Sequence, residues 1–176
     1  MFISKAKVQL EIEKKFLVDQ PTSWIVLSEI FTNLINICRI EQAYLKAENK
    51  EPCARVRKTT EGLTGDLSVV YHFNKKIFVE SGTHKETEYE ISKSKYNNEL
   101  KNIHPDKKIL YKTRFVFKYN DQEFELDIFK GPLKGLAILE IELDNKNQTV
   151  ELPPYLNIIG EVTKNKNFSN FALASK

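Results

Sequence analysis

Cysteine is nearly absent from this 176-residue chain: Cys38 and Cys53 stand apart with no C-x-x-C pair, so no disulfide framework is implied and a reduced, cytoplasmic setting is expected. Glycine and proline are equally sparse, at six each, and no linker-like run, low-complexity tract or internal repeat interrupts the chain. No apolar run approaches the length needed to cross a bilayer, and the opening Met1 to Lys7 lacks the apolar stretch of a signal peptide. Charge of one sign is missing too. With 27 basic and 24 acidic residues the net formal charge is +3, which predicts no nucleic-acid-binding surface. No G-x-x-x-x-G-K-[ST] loop offers a P-loop route to phosphate, and no G-x-S-x-G elbow suggests a serine hydrolase. His72, His84 and His104 show no zinc spacing and read as surface or packing residues.

What the chain does have is 41% hydrophobic residues, among them 11 Phe and 7 Tyr, enough for one packed core, and 1–176 reads as a single domain. Apolar residues recur with period two at Val8, Leu10 and Ile12, at Phe115, Phe117 and Tyr119, at Phe124, Leu126 and Ile128, and at Leu139, Ile141 and Leu143. Such alternation marks strands. Asn120-Asp121 marks a tight turn between two of them, and Gly131-Pro132 with Gly135 punctuates the next connection, giving an antiparallel meander. Helical spacing covers Pro21 to Asn33, with Thr22 or Ser23 as cap, then Ser92 to Ile103, and a short piece from Phe168 to Leu173. Trp24, Phe115 and Phe117 read as core. The segment Phe78 to His84 reads as a long loop. The expectation is an α+β chain of about eight strands and two or three helices.

The informative feature is what alternates with the apolar residues. Positions two apart in a strand share a face, about 6 to 7 Å from each other. Glu11, Glu13 and Lys15 therefore lie together, and the same spacing returns in Arg55 with Arg57, Glu88 with Glu90, Lys112 with Arg114, Glu125 with Asp127, and Glu140 with Glu142. A sheet with one face in water would explain any one of these strands. Six such faces in which like charges sit side by side argue for a closed barrel with an apolar, helix-covered exterior and a charged interior, stable when its charges are paired, hydrated or bound to ligand. Carboxylate pairs supply oxygen ligands for Mg²⁺ or Mn²⁺, and arginine forks hold phosphate oxygens. Phosphoryl transfer needs the terminal group clamped, its charge neutralised and a water held in line. Lys112, flanked by another cation, is the candidate general base, with Tyr44 to orient it.

Glu11-Ile-Glu13-Lys-Lys15-Phe-Leu-Val resembles the E-x-E-x-K opening of the CYTH superfamily, the triphosphate tunnel metalloenzymes. The resemblance runs nearly end to end, through Glu41-Gln-Ala-Tyr44-Leu, Arg55-Val-Arg57, Glu88-Tyr-Glu90, Lys112-Thr-Arg114, Phe124-Glu-Leu-Asp127, Leu139-Glu140-Ile-Glu142 and Glu161 to Asn170. It implies an eight-stranded antiparallel β-barrel tunnel in which Glu11, Glu13, Glu140 and Glu142, with Asp127, serve Mg²⁺ or Mn²⁺. It implies phosphate contacts from Lys15, Arg55, Arg57, Lys76, Arg114, Lys112 and Lys166. Lys75 and Lys76 point to opposite faces, and Lys76 is the preferred inward residue. Family members place a basic residue two positions before the fifth strand's E-x-E, where this chain has Glu86. The subgroup it looks most like implies hydrolysis of inorganic tripolyphosphate, with a small-molecule triphosphate as partner and neither nucleic acid nor membrane. A class IV adenylate cyclase, a thiamine triphosphatase and a non-catalytic polyphosphate- or nucleotide-binding module remain as alternatives. Monomer and homodimer are both open.

Overall fold

The computed structural model describes residues 7–46, 54–62 and 67–175, so Cys53 and most of the turn after Glu61 lie outside the described residues. Nine strands and three α-helices follow in the order β1 (Lys7–Val18), α1 (Trp24–Thr32), β2 (Leu34–Tyr44), β3 (Ala54–Glu61), β4 (Ser68–Glu80), β5 (Thr83–Glu90), α2 (Lys93–Glu99), β6 (Leu110–Tyr119), β7 (Gln122–Phe129), β8 (Ala137–Glu142), β9 (Ile158–Glu161) and α3 (Asn170–Leu173). The sheet runs β5-β4-β3-β2-β6-β7-β8-β1-β9, and a further pairing of β5 with β1 closes the first eight strands into an antiparallel barrel.

β1 makes the closure by changing partners along its length. Its first half lies against β5, from Lys7 opposite Glu88 to Ile12 opposite Thr83. Its second half lies against β8, from Glu13 opposite Glu142 to Val18 opposite Ala137. Where β5 runs out, β9 takes over the same edge, with Phe16 opposite Glu161. The transition is fixed by Gly82, whose carbonyl accepts from the Glu13 N–H at 2.8 Å. Its φ of +75° and the 2.8 Å that would separate an added Cβ from the Glu13 carbonyl oxygen both require glycine.

The expected meander is present. Asn120 and Asp121, with φ of 46° and 58°, form the two-residue turn from β6 to β7, the geometry such turns need to match strand twist. The long loop expected over Phe78 to His84 is instead a hairpin: β4 continues to Glu80, Ser81-Gly82 turns, and β5 starts at Thr83. Phe78-Val79-Glu80 carries no turn residue, so its β-propensity extends the strand to the glycine.

Apolar residues facing away from the barrel axis meet two covers. Ile30 of α1 and Leu156 pack with Phe16, Phe117, Phe124, Leu126, Leu139 and Ile141 over β1, β6, β7 and β8. Tyr96 of α2 packs with Ala43, Val56 and Ile91 over β2 to β5. α1 starts three residues later than the expected Pro21, ends before Leu34, and has Ser23 at its N-cap position without a side-chain bond. Trp24 is 76% exposed rather than core, because α1 packs on the barrel through Val26 and Ile30, which lie on the face of the helix away from Trp24. Ser92 caps α2, accepting from the Lys95 N–H at 3.1 Å. No helix among the described residues is long and apolar enough to cross a membrane.

Candidate active site

The register fixes which side chains look inward. Lys15 lies opposite Glu140 and Glu13 opposite Glu142 across β1 and β8. Arg114 lies opposite Asp127, Arg57 opposite Gln42, and Lys76 opposite Glu86. Since pleat alternation puts directly opposed residues on one face, the charged rows of β1 and β3 to β8 converge. They enclose a cavity of about 250 Å³. Its lining includes Lys15, Arg55, Arg57, Lys76, Lys112 and Arg114, and the carboxylates Glu11, Glu13, Glu86, Glu88, Glu125, Glu140 and Glu142. Ile141, whose side chain packs in the outer core, is the one apolar residue at that lining. Gln9 and Gln42 add neutral donors and acceptors, and Asn170 reaches in from α3.

Tyr44, Leu110, Phe129 and Ile138 lie two positions beyond Gln42, Lys112, Asp127 and Glu140 on the same inward faces, so apolar side chains floor that end of the cavity. These four pack with Leu173 and Ala174 at the end of α3. Tyr44 belongs to this floor, in edge contact with Phe171 at 5.2 Å between ring centroids. Its hydroxyl accepts from Gln42 Nε2 at 2.9 Å. Burial pushes the Tyr44 phenol's pKa up, against the opposing charge of Arg55, so the hydroxyl stays protonated at neutral pH.

The cations are held in pairs with carboxylates. Lys15 Nζ donates to Glu140 Oε1 at 2.6 Å and lies 3.2 Å from Glu13 Oε2. Burial alone would lower the lysine's pKa, but Glu140 and Glu13 outweigh it and hold the ammonium charged. Burial likewise works against the Glu140 carboxylate, yet Lys15, Lys112 and Arg114 hold its pKa well below the usual range. Arg114 grips Asp127 with Nε and an Nη at 2.7 Å each, reaches Glu140 Oε2 at 3.0 Å, and pairs with Glu125. Lys112 also donates to Asp127, and both Lys112 and Asp127 are within 3% of complete burial. Burial pushes the Lys112 ammonium's pKa down, Asp127 pulls it back, and Arg114 adds to the lowering. Arg57 donates to Glu88 at 2.6 Å, and Arg55 lies 3.3 Å from Glu86. The Nε atoms of Arg55 and Arg57 are buried without a hydrogen-bond partner, leaving donors for an anion in the cavity.

Glu86, where a basic residue is expected, turns the opposite charge to local use. It accepts from Asn74 and lies 3.7 Å from Lys76 Nζ. Burial raises its pKa, but Lys76, the Asn74 bond and the two arginines more than reverse this, so it stays ionised. Lys76 donates to Glu11 Oε1 at 2.7 Å, which settles its inward orientation. Burial raises the Glu11 pKa to about 7 in spite of Lys76, with Glu13 and Glu86 adding to the rise.

A divalent cation fits the acidic end. Single ligand atoms of Glu11, Glu13 and His84 lie within 4.8 Å of one another. The His84 Nδ1 is buried and has no hydrogen-bond partner. Two carboxylates and an unsatisfied imidazole nitrogen are a donor set that a small divalent ion would complete. Expected as a surface or packing residue, His84 stands directly opposite Glu11 across β1 and β5. The loop reading of Phe78 to His84 concealed it.

Of the residues singled out in the sequence, Glu11, Glu13, Glu140, Glu142, Lys15, Arg55, Arg57, Lys76, Lys112 and Arg114 line the one cavity. Asp127 lies behind them, engaged by Lys112 and Arg114. Lys166 is exposed on a single 3₁₀ turn, Lys166–Phe168, and Asn170 in its place faces the cavity. Gln42 and Asn170 carry no charge and so gave no signal in the alternating pattern.

No protein-family model matches the chain. A curated inorganic triphosphatase of Acetivibrio thermocellus is 29% identical over 167 residues, covering 91% of this chain and 90% of that one. The solved structure of the inorganic triphosphatase NE1496 is 27% identical with a TM-score of 0.60, over 94% of this chain and 98% of that one. A Hippeastrum protein with a dominant triphosphatase activity is 14% identical with a TM-score of 0.53, over 77% and 80%, a likeness of fold alone. With the closed barrel and its inward rows of charge, these likenesses indicate the fold of the CYTH, or triphosphate tunnel, family.

Proposed function

We propose that this protein is a metal-dependent triphosphatase that hydrolyses the terminal phosphate of inorganic tripolyphosphate, giving pyrophosphate and orthophosphate. The observation that carries the reading is the enclosed cavity of about 250 Å³ in which arginines and lysines from opposite walls face rows of carboxylates. The names of the similar triphosphatases support it. Among the described residues the lining has no aromatic ring and one apolar residue, so it offers a phosphate chain many charged contacts and an adenine base no stacking surface. This favours the inorganic substrate over a nucleotide and hydrolysis over cyclisation.

Arg55, Arg57, Arg114, Lys15 and Lys76 bind the phosphate oxygens, Arg55 and Arg57 with Nε donors that no protein acceptor uses. Glu11 and Glu13 hold Mg²⁺ or Mn²⁺, with Glu140 and Glu142 on the adjoining wall; the ion supplies charge neutralisation to the phosphates. Lys112 Nζ, in the neutral form that burial and Arg114 favour, takes the proton from the attacking water. Asp127 and Arg114 hold that amine in place. Tyr44 and Gln42 position the floor against which the substrate stops.

Purified protein incubated with tripolyphosphate, ATP, GTP and thiamine triphosphate, each with Mg²⁺ or Mn²⁺, tests the reading. Fastest orthophosphate release from tripolyphosphate, lost on chelation and in Lys112→Met, is the expected result. No release from any of the four with either metal sinks it. Cyclic nucleotide among the ATP products would replace hydrolysis by cyclisation.

A further inference from the structure

The acidic end of the cavity differs from the rest in carrying a nitrogen donor. His84 faces Glu11 across the β1–β5 pairing, and Glu13 sits two residues farther along the same face of β1. The His84 Nδ1 lies 3.9 Å from Glu13 Oε1, too long for a hydrogen bond and close enough for both atoms to bind one ion after a small adjustment. The imidazole plane is backed by Phe78, in edge contact at 5.9 Å between centroids. Phe78 stands opposite His84 on β4, so the hairpin that carries it also orients the ring. Lys76, one step away on the same face, donates to Glu11 and supplies the positive charge there.

We propose that His84 is a third protein ligand to the cation held by Glu11 and Glu13, and that it makes this site select Mn²⁺ over Mg²⁺. The proposal rests on the metal dependence proposed above and adds the identity of the ion. Magnesium takes oxygen ligands and keeps most of its water, whereas transition-series ions accept imidazole nitrogen readily and bind mixed nitrogen and carboxylate sets more tightly. A site of two carboxylates alone would discriminate weakly between the two ions. Adding one imidazole whose Nδ1 is buried with no competing hydrogen bond gives the advantage to manganese. With Glu11 engaged by an ion, Lys76 would turn its ammonium to a phosphate oxygen or to Glu86, already within 3.7 Å.

The test uses the whole protein with no substrate, so it reads binding apart from turnover. Calorimetric titration of the wild type is expected to show Mn²⁺ bound roughly tenfold or more tightly than Mg²⁺, and His84→Gln to lose about that factor for Mn²⁺ while Mg²⁺ binding stays within about twofold. Pulsed electron paramagnetic resonance of the Mn²⁺-loaded wild type is expected to show modulation from a coordinated imidazole nitrogen, which needs no variant and decides the question even if His84→Gln fails to fold. Absence of that modulation, or equal losses for the two ions, overturns the proposal. A protein that shows the modulation yet releases no phosphate from any triphosphate keeps the ligand assignment and loses the enzymatic one.

Discussion

Replacing Asp127 by Asn separates two roles that its position allows. The sequence groups Asp127 with the metal-binding carboxylates, whereas the fold places it behind the cavity lining, 0% exposed, with Arg114 Nε and Nη at 2.7 Å and Lys112 in contact. The amide keeps the shape of the carboxylate but removes the charge and turns one acceptor into a donor facing a cation. Two buried cations then share too few acceptors. Breaking a buried pair by altering one partner costs about 3–5 kcal/mol, a large part of the roughly 5–15 kcal/mol that holds a domain folded. At about 2–4 °C per kcal/mol for a chain of this size, the midpoint of thermal unfolding is expected to fall by roughly 6–20 °C. Urea unfolding of the metal-free protein and Mn²⁺ titration of the same sample make the paired assay. The expected result is lost stability with Mn²⁺ affinity nearly unchanged. Asp127→Asn that unfolds like the wild type but no longer binds metal would refute the assignment of Asp127 to the Lys112–Arg114 network.

Three further outcomes follow from the same geometry. The folded protein keeps the Glu11 proton up to about pH 7 whereas the unfolded chain releases it near the ordinary 4.5, so the contribution of Glu11 to metal-free stability falls as pH rises through that window, by about 3 kcal/mol. The stability difference between wild type and Glu11→Gln, from urea midpoints in chelator at pH 4.5 and pH 8, should therefore grow in the variant's favour by that amount, and a pH-independent difference would refute it. Gly82→Ala, which must hold an L side chain at φ +75° with its Cβ 2.8 Å from the Glu13 oxygen, should cost about 1–3 kcal/mol in the same unfolding assay. Phe117→Ala empties a fully buried site stacked on Phe124 at 6.0 Å and should cost about 3–5 kcal/mol, with denaturant titration the check.

The barrel was legible because its chemistry is periodic. Charged residues recur two apart in β1 at Glu11, Glu13 and Lys15, in β3 at Arg55 and Arg57, in β6 at Lys112 and Arg114, in β7 at Glu125 and Asp127, and in β8 at Glu140 and Glu142, and that alternation identifies both the strands and the face they share. The turn at Asn120-Asp121 was readable for the same local reason, since those residue types tolerate positive φ. What escaped depends on contacts between distant segments. Nothing near Trp24 says that α1 meets the barrel through Val26, Ile30 and Phe31, leaving the tryptophan outside. Gln42 and Asn170 enter the cavity because β2 and α3 end at its floor, and neither carries a charge to mark it. His84 was hidden by a break placed before the glycine that makes the turn. Its role emerges only when β5 is laid against β1 and the imidazole comes opposite Glu11.

The apolar floor built by Tyr44, Leu110, Phe129, Ile138 and the end of α3 makes the passage a blind alley. A linear polyanion entering such a dead end advances one terminus first and halts at a set depth, so cleavage would be counted from the leading end whatever the length of the trailing chain. Longer polymers would then be shortened stepwise from a terminus and never cut in the middle, and both fragments would have to back out through the mouth by which the substrate came in.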